Sequence, residues 1–467
     1  MNILIIMPDQ LRADSLGCAG NKVIKTPNID RIAREGVLFS NAYTVSPICM
    51  PARASFVSGL YPHNHTMWTN AGSLPPDDET FFHHLQRKGY FVAYIGKSHF
   101  YPHRAGDHLK NHEDYMRARG IDYVHETTGP WATVRTDSYM TDHWREKGLL
   151  SVFREDYLKR RDFGPFALWP SPMPTDEFLD SYIGRKAVEF IEGYDGSKPF
   201  CLFVGFGGPH EPWDPPGEYA EMYDPDEVPP PIPPERAREW TPPYAAERMR
   251  KGVLEGLTDE IARRIRASYY GKISLIDRWV GEILDALERR GWLEETMIVL
   301  WSDHGEMAGD HGRLHKSVFY ESSVRVPLII RVPGIEGGRV VPALVEIIDV
   351  YPTILEAVGA EPSRRCFGRS LMGLLKGEAE SVRDEVLSEI HAFGCYNYMI
   401  RTERFKYAMN GEGEGFMLFD LEEDPDEQVN LIGHPEYGDV EREMRERLLR
   451  AIASSQCRYG RGGELVS

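Results

Sequence analysis

The chain has 467 residues, of which 42% are hydrophobic and 27% charged, an ordinary composition for a globular enzyme with a large core. Its formal net charge of −18, with no basic block to offset it, argues against a nucleic-acid partner. Six cysteines without close pairs or CxxC spacing fit a reducing compartment, and neither a membrane-spanning run nor a signal peptide is recognisable, so we expect a cytoplasmic protein without a membrane partner.

The first predicted element is a buried strand. Residues 2–7 form a nearly continuous apolar run, as in a central strand that is covered on both faces. The run is followed by Asp9 and Gln10. Polar side chains at the carboxyl end of a strand are where open α/β sheets place their ligands, so these two residues become site candidates.

Cys49 occupies a stiff segment between Pro47 and Pro51, with Arg53 four residues further on. The prolines disfavour helix just before each ring, so we expect a helix to begin at about Arg53, with its amides pointing back toward Cys49. That arrangement suits an anion and a nucleophilic thiol. A lone cysteine is more often a buried structural residue, and the segment by itself leaves both interpretations open.

Three further predicted strands also run into polar residues. The runs at 91–95, 199–206 and 296–301 lead to Lys97 and His99, to His210, and to Asp303 and His304, respectively. Amphipathic helices lie between the strands, the longest of them from Thr258 to Gly291. This alternation predicts a mostly parallel sheet that is sandwiched by helices, with all four polar clusters at one edge beside Cys49.

The chain also shows changes of pattern along its length. Residues 101–185 are rich in His, Asp, Arg, Tyr and Trp and lack clear periodicity, so we interpret them as an irregular specificity insertion over the active face. A further strand is expected at 324–332. After residue 365, short alternating runs predict a small antiparallel sheet with a closing helix. We therefore divide the chain into an α/β catalytic domain, residues 1–365, and a smaller α+β subdomain, residues 366–467.

The polar clusters are chemically coherent. Carboxylates, an amide and an imidazole suit a hard cation, whereas cationic side chains and two further histidines suit an anionic group and proton transfer. Taken singly, each of these residues is more often a strand-end cap or a solvated side chain. The candidate cation ligands are Asp9, Gln10, Asp303 and His304; the candidate anion-binding and proton-transferring residues are Arg53, Lys97, Lys316, His99 and His210.

Cys49-Met50-Pro51-Ala52-Arg53 resembles the Cys-x-Pro-x-Arg signature of type I sulfatases, which belong to the alkaline phosphatase superfamily. An ordered series of further blocks carries the same resemblance over nearly the whole chain. These blocks include Thr26-Pro27-Asn28-Ile29-Asp30, Gly96-Lys97-Ser98-His99, Pro209-His210-Glu211-Pro212, Asp303-His304-Gly305-Glu306-Met307 and Leu418-Phe419-Asp420-Leu421.

The resemblance implies an enzyme that hydrolyses small-molecule sulfate monoesters. It implies that a maturation enzyme oxidises Cys49 to formylglycine (3-oxoalanine), whose hydrated form attacks sulfur. Asp9, Gln10, Asp303, His304 and residue 49 would hold one divalent cation, most often Ca²⁺, with Mg²⁺ and Mn²⁺ as alternatives. Asp303 would take the proton of the nucleophile, Arg53 would orient it, and Lys97 and Lys316 would hold the sulfate. His210 would protonate the leaving alcohol, and His99 would assist the release of sulfate.

Some residues depart from the commonest family pattern. Met50 and Ser58 replace the usual small residue and threonine of the signature, and Gln10 with His304 is the variant found in bacterial choline sulfatases and phosphonate monoester hydrolases. A phosphonate monoester or phosphodiester hydrolase is therefore the main alternative. Such relatives typically have Tyr and Thr where this chain has Lys97 and His99, which favours sulfate. A catalytically inactive binding protein is a third hypothesis, and the intact set of site residues argues against it.

The alcohol half of the substrate is not readable from the sequence. The Trp- and Tyr-bearing stretch 131–169, with Asp137 and Asp142, fits either a pocket for a cationic or aromatic group or an ordinary packed cap. Oligomeric state is also open, although bacterial relatives often form dimers or tetramers, which makes a homo-oligomer the alternative to a monomer.

Overall fold

The computed structural model describes residues 1–460. The last seven residues of the proposed 366–467 subdomain therefore lie outside the described part. The strands are β1 Asn2–Asp9, β2 Val37–Tyr43, β3 Phe91–Lys97, β4 Tyr123–Thr127, β5 Phe200–Pro209, β6 Thr296–Trp301, β7 Leu328–Arg331, β8 Arg339–Glu346, β9 Glu385–Ala392, β10 Cys395–Thr402, β11 Phe405–Asn410 and β12 Gly415–Asp420.

The α-helices lie between and after these strands. They are α1 Pro27–Glu35, α2 Cys49–Ser58, α3 Pro62–His65, α4 Phe81–Arg87, α5 Glu113–Arg117, α6 Tyr139–Glu146, α7 Leu150–Phe163, α8 Leu179–Gly193, α9 Pro243–Arg250, α10 Asp259–Arg289, α11 Glu321–Val324, α12 Val350–Ala357, α13 Met372–Lys376 and α14 Gly438–Ser454. None of them, within residues 1–460, combines the length and hydropathy that crossing a bilayer requires.

Within residues 1–460, eight strands form the large sheet in the order β4-β3-β5-β1-β6-β7-β2-β8. All its neighbouring strands run parallel except β7, which is antiparallel to both β6 and β2. The other sheet, β12-β11-β10-β9, is antiparallel throughout. The predicted α/β fold with a separate C-terminal antiparallel sheet is confirmed.

The large sheet divides the core into two layers because the side chains of a strand alternate between its faces. In β1, Ile3 and Ile5 face one layer, whereas Leu4 and Ile6 face the other. The first layer holds α2, α4, α12 and the small sheet, and the second holds α1, α8 and α10. Both faces of β1 are therefore covered, which explains its unbroken apolar run.

Two local predictions were wrong. The strand expected at 324–332 is shorter: α11 ends at Val324, and β7 begins only at Leu328, since Pro327 has no backbone N–H to donate to a ladder. The helix expected to begin at Arg53 begins at Cys49 instead. Pro51 is tolerated there because the first-turn amides of a helix have no partner within the helix.

The segment 101–185 contributes to the large sheet as well as lying beside it. It contains β4, which pairs in parallel with β3 at the sheet edge, and it also contains α5, α6 and α7. Helix α8 begins within it at Leu179, and the residues between these elements form turns and short helical pieces.

Candidate active site

Four adjacent, mutually parallel strands bring the predicted polar clusters together. In the order β3-β5-β1-β6, they end at or just before Lys97, His210, Asp9 and Asp303. Gly96, just before Lys97, has a φ of +99°, and a Cβ there would collide with the carbonyl oxygen of Gly205 on β5. Glycine therefore allows the two strands to approach closely where Lys97 leaves the sheet.

Helix α2 places Cys49 and Arg53 over this edge. Cys49 is the first residue of the helix and Arg53 lies one turn later, and all ten side chains of the helix are buried. The Phe56 ring stacks on Trp301 of β6, with ring centroids 3.6 Å apart and planes only 4° from parallel. This contact fixes the helix against the strand that leads to Asp303.

Arg53 joins three of the strand ends. Its Nε donates to Asp303 Oδ2 at 2.8 Å, its Nη1 donates to the Lys97 carbonyl oxygen at 2.7 Å, and its Nη2 lies 2.9 Å from Asp9 Oδ2. The side chain is only 1% exposed. A buried guanidinium with these partners is expensive to replace, because its removal would take a contacting cation away from two buried carboxylates at once.

The Cys49 thiol lies among three potential metal ligands. Its Sγ is 3.1 Å from His304 Nε2 and 3.9 Å from Asp9 Oδ1. The ligand atoms of Asp9, Cys49, Asp303 and His304 all lie within 4.8 Å of one another, and all four residues are buried. His304 Nδ1 lies 3.0 Å from the Gly305 carbonyl oxygen; donation there leaves the Nε2 lone pair directed at the cluster.

Gln10 follows Asp9 with a positive φ of 70°, and its side chain borders the cluster. Its Nε2 donates to Glu211 Oε2 at 2.9 Å and also to Glu306 Oε2, while its Oε1 accepts from Lys316 Nζ. Two carboxylates thus hold the amide nitrogen on one side. The carbonyl oxygen, the end that can bind a cation, is turned the other way.

The remaining predicted side chains surround the thiol. Lys97 Nζ contacts Asp9 Oδ2, and Lys316 Nζ lies 2.9 Å from His210 Nε2. His99, at a φ of 55°, interacts electrostatically with Cys49. The structure therefore brings every sequence-predicted site residue to one place.

Together, the nearby cationic side chains affect the pKa values of the acidic groups in this cluster more strongly than burial does. Burial acts to raise the pKa of the Cys49 thiol, but Lys316, Lys97 and His304 outweigh it and hold that pKa well below its usual value. Burial also opposes ionisation of Asp9, yet Lys97 and Arg53 keep the pKa of this carboxyl below its ordinary range. Burial lowers the pKa of His99 to about 3, which leaves that imidazole neutral. The cluster is built to stabilise negative charge.

Sequence reasoning gave no role to three residues that the structure places next to Gln10 and Lys316. Glu211, Glu306 and His315 form a second group whose ligand atoms lie within 4.8 Å of one another. Glu306 Oε1 accepts from the backbone N–H of Ala308 at 2.8 Å and of His315 at 2.6 Å. Two signals were available: Glu211 and Glu306 stand in the quoted blocks that contain His210 and Asp303, and His315 directly precedes Lys316.

A cavity of about 440 Å³ opens beside this second group. Glu211, Pro212, Trp213 and His315 form one end of it, and the rest comes from the 131–169 stretch. Asp137 and Asp142 do not line it. Asp137 instead pairs with Arg145 and Arg154, at 2.7 and 2.5 Å, and Asp142 pairs with Lys110 and Arg145, at 2.6 and 2.8 Å.

Comparison with known proteins agrees with this arrangement. Residues 1–360 match the sequence model of the Sulfatase family, and residues 309–454 match that described as N-sulphoglucosamine sulphohydrolase, C-terminal. An arylsulfatase of Clostridium perfringens is 33% identical over 100% of this chain and 97% of its own length. A choline-sulfatase of Rhizobium meliloti is 31% identical, over 93% of this chain and 83% of its own.

Among solved structures, a phosphonate monoester hydrolase of Agrobacterium radiobacter superposes with a TM-score of 0.81 at 27% identity, covering 97% of this chain and 96% of that one. The two sulfatase relatives and the family model span almost the whole chain, including every strand end that carries a site residue. The chain therefore belongs to the sulfatase family of enzymes, within the alkaline phosphatase superfamily.

Proposed function

We propose that this protein hydrolyses small-molecule sulfate monoesters to an alcohol and inorganic sulfate, with residue 49, oxidised from cysteine to formylglycine, as the nucleophile. The observation that carries the proposal is the convergence at one buried strand edge. There, the side chain of residue 49, the carboxylates of Asp9 and Asp303 and the imidazole of His304 lie within 4.8 Å. Arg53, Lys97 and Lys316 surround them with positive charge.

The residues fit one divalent cation. An ion bound at about 2.3–2.6 Å from each ligand holds ligand atoms at most about 5 Å apart, which matches the four-residue cluster. Its oxygen-rich donor set, bordered by the Gln10 amide oxygen, favours Ca²⁺, with Mg²⁺ and Mn²⁺ as alternatives. When present, the cation would supply positive charge beside the hydrated aldehyde of residue 49, whose hydroxyl attacks sulfur.

The chain's own side chains divide the remaining work. Arg53, fixed by two carboxylates and a carbonyl, orients residue 49. Lys97 and Lys316 bind the sulfate oxygens as charge redistributes, and the Asp303 carboxylate receives the proton of the attacking hydroxyl. His210 Nε2, beside Lys316, donates a proton to the departing alcohol oxygen. His99 Nδ1, which is buried without a hydrogen-bond partner within residues 1–460, accepts a proton as sulfate is released.

Phosphonate monoester or phosphodiester hydrolysis is the second candidate. The likeness to the solved phosphonate monoester hydrolase, at a TM-score of 0.81, favours it. Lys97 and His99, where such relatives typically have Tyr and Thr, favour sulfate. Both transferring groups are tetrahedral and anionic, so one cluster of cations can serve either reaction.

The decisive experiment is expression with a formylglycine-generating enzyme, followed by mass measurement of the peptide that contains residue 49. We expect the mass change of converting CH₂SH to CHO, and turnover of sulfate esters that Cys49→Ala lowers by at least about 10⁴-fold. Parallel assays with phosphate and phosphonate esters rank the two candidates. Unmodified cysteine after such expression, or equal activity in both proteins, would refute the proposal.

Several predictions from the sequence accompany this proposal without having been tested. They are the cytoplasmic location, the partnership with a maturation enzyme, a homo-oligomeric assembly and the division of the chain at residue 365. The six cysteines are unpaired, which agrees with a reducing compartment. Gel filtration with light scattering will determine the oligomeric state directly.

A further inference from the structure

The cavity beside the catalytic cluster is positioned to receive the alcohol half of the substrate. Two of its lining residues, Glu211 and His315, are the chain neighbours of His210 and Lys316. His315 Nδ1 lies 3.3 Å from Glu211 Oε1, and these two side chains stand between the cavity and the cluster. Its volume of about 440 Å³ lies within the range of small-molecule sites, about 300–1,000 Å³.

Aromatic side chains form much of the cavity wall and are held in place by their surroundings. The rings of Trp131 and Tyr157 meet edge to face with centroids 5.4 Å apart. Tyr157 Oη donates to Asp214 Oδ2 at 2.9 Å, and Trp213 packs parallel to His315 with centroids 6.4 Å apart. Tyr157 and Trp213 are only 1% and 2% exposed and form the backing of the wall, whereas the partly exposed Trp131 presents an aromatic surface to the cavity. Rigid, flat, apolar walls of this kind suit an aromatic ring.

The charges facing the cavity are positive on balance. Arg160 pairs with Asp156 at 2.6 Å, and Arg161 pairs with Asp162 at 3.0 Å. Arg135 also lines the cavity, and within residues 1–460 its guanidinium has no carboxylate partner.

Among the described residues 1–460, Glu211 is the one carboxylate in the cavity lining, and it already accepts from Gln10 and contacts His210 and His315. Asp137 and Asp142 are paired elsewhere, so within this described part of the chain no unpaired carboxylate faces a bound alcohol. A quaternary ammonium such as choline would therefore meet an aromatic surface, but the positive charge of Arg135 beside that surface would repel it. An arginine fork is suited instead to a carboxylate or sulfate.

Resting on the proposed sulfate-ester hydrolysis, we infer that this cavity binds an aryl leaving group that carries a second anionic substituent. The ring packs against Trp131, which Tyr157 and Trp213 support from behind, and the anion pairs with Arg135. The preferred substrates are aryl sulfates bearing a carboxylate or a second sulfate, and cationic esters such as choline sulfate are disfavoured.

The test compares four esters on the matured enzyme: phenyl sulfate, 3-carboxyphenyl sulfate, 3-(trimethylammonio)phenyl sulfate and choline sulfate. For each ester, the ratio of kcat/KM between wild type and variant is used, since that ratio cancels the ester's intrinsic reactivity. We expect Arg135→Gln to lower kcat/KM for the carboxylate ester about tenfold more than for phenyl sulfate. For the trimethylammonio ester we expect it to raise kcat/KM.

Two further variants give the test its controls. Arg161→Gln removes a second cavity arginine, which differs from Arg135 in having the Asp162 carboxylate 3.0 Å away, so its effect on the carboxylate ester should exceed that on phenyl sulfate by less than about twofold. Trp131→Ala should lower kcat/KM for the aryl esters more than for choline sulfate, and Trp131→Phe should restore most of the loss.

The outcomes separate the inference from the function on which it rests. Sulfate-ester turnover that favours choline sulfate, or an Arg135→Gln effect equal for all four esters, overturns the inference and leaves the sulfatase function standing. Absence of turnover of every sulfate ester by protein that carries formylglycine overturns the proposed function itself.

Discussion

The catalytic cluster and the neighbouring cavity are built on different principles. The cluster consists of side chains at the ends of four hydrogen-bonded strands and one buried helix, and Asp9, Arg53 and Asp303 are at most 1% exposed. The cavity is lined by residues of helix α7 and of loops, and its Leu158 is 37% exposed. Rigid positioning of the reacting groups is thus separated from the surface that selects the alcohol, so one can vary without disturbing the other.

The largest effect expected from this contrast is at Arg53. Arg53→Ala removes the bonds to Asp303 and the Lys97 carbonyl, and leaves the Asp9 and Asp303 carboxylates buried without their shared cation. We expect kcat/KM to fall by at least about 10³-fold and the free energy of unfolding to fall by about 3–5 kcal/mol. Steady-state kinetics and urea unfolding measure the two effects.

Arg53→Lys is the matched control, since it keeps the charge but not the planar fork. It should recover part of the stability and little of the activity. If the activity of Arg53→Ala stayed within tenfold of wild type, the contacts of Arg53 with Asp9, Asp303 and the Lys97 carbonyl would not be needed to hold the catalytic residues in place.

A smaller effect is expected at Glu306, which helps to hold the Gln10 amide nitrogen. In Glu306→Gln, one oxygen can still accept from the Ala308 and His315 amides, but a new N–H₂ group faces Gln10. The Gln10 amide nitrogen then faces a second donor and keeps only Glu211 as its carboxylate acceptor, so its carbonyl oxygen should be held less firmly beside the cation site. We expect the affinity for Ca²⁺ to fall about 10–100-fold, as is typical when a residue that orients a metal ligand is lost.

Calcium titration of the thermal unfolding temperature measures this affinity without depending on turnover. Glu255→Gln, at an exposed position, is the surface control. An unchanged calcium affinity in Glu306→Gln would show that the cation site does not depend on the contact between Gln10 and Glu306.

The smallest effect is expected beside the cavity, at Asp137. Its partners Arg145 and Arg154 are 50% and 30% exposed, so water and salt screen these pairs. Asp137→Asn should lower the free energy of unfolding by less than about 1 kcal/mol, and kcat/KM for phenyl sulfate should stay within about twofold. If Asp137→Asn lowered stability or kcat/KM as much as Arg53→Ala, the residues beside the cavity would be as important for the catalytic cluster as the buried residues within it.

The same distinction explains what the sequence could predict. Asp9, Lys97, His210 and Asp303 were identified because each follows a strand, and parallel strands end at one edge. A polar residue after an apolar run can be recognised locally, and the parallel order of the strands then brings all such residues together in space. The antiparallel direction of β7 carried no such signal, because an apolar run does not reveal the direction of a strand.

The cavity could not be derived in this way. Trp131, Tyr157 and Trp213 come from different elements, and their meeting depends on how α7 packs against the loop after β5. Within the described residues, Arg135 has no carboxylate partner because the nearby aspartate Asp137 is already paired with Arg145 and Arg154. Asp137 and Asp142, the residues that suggested a cationic ligand from the sequence, proved to be committed to those arginines and to Lys110.

The complete burial of α2 also has a consequence for the order of events in biosynthesis. Cys49 is only 1% exposed, and the helix that begins with it is held by the Phe56–Trp301 stack. A maturation enzyme that recognises a stretch of chain around residue 49 would first have to extract this helix from the core. For the proposed oxidation, the chain must therefore meet its modifying enzyme before it folds, and protein that folds as cysteine remains unconverted until it unfolds again.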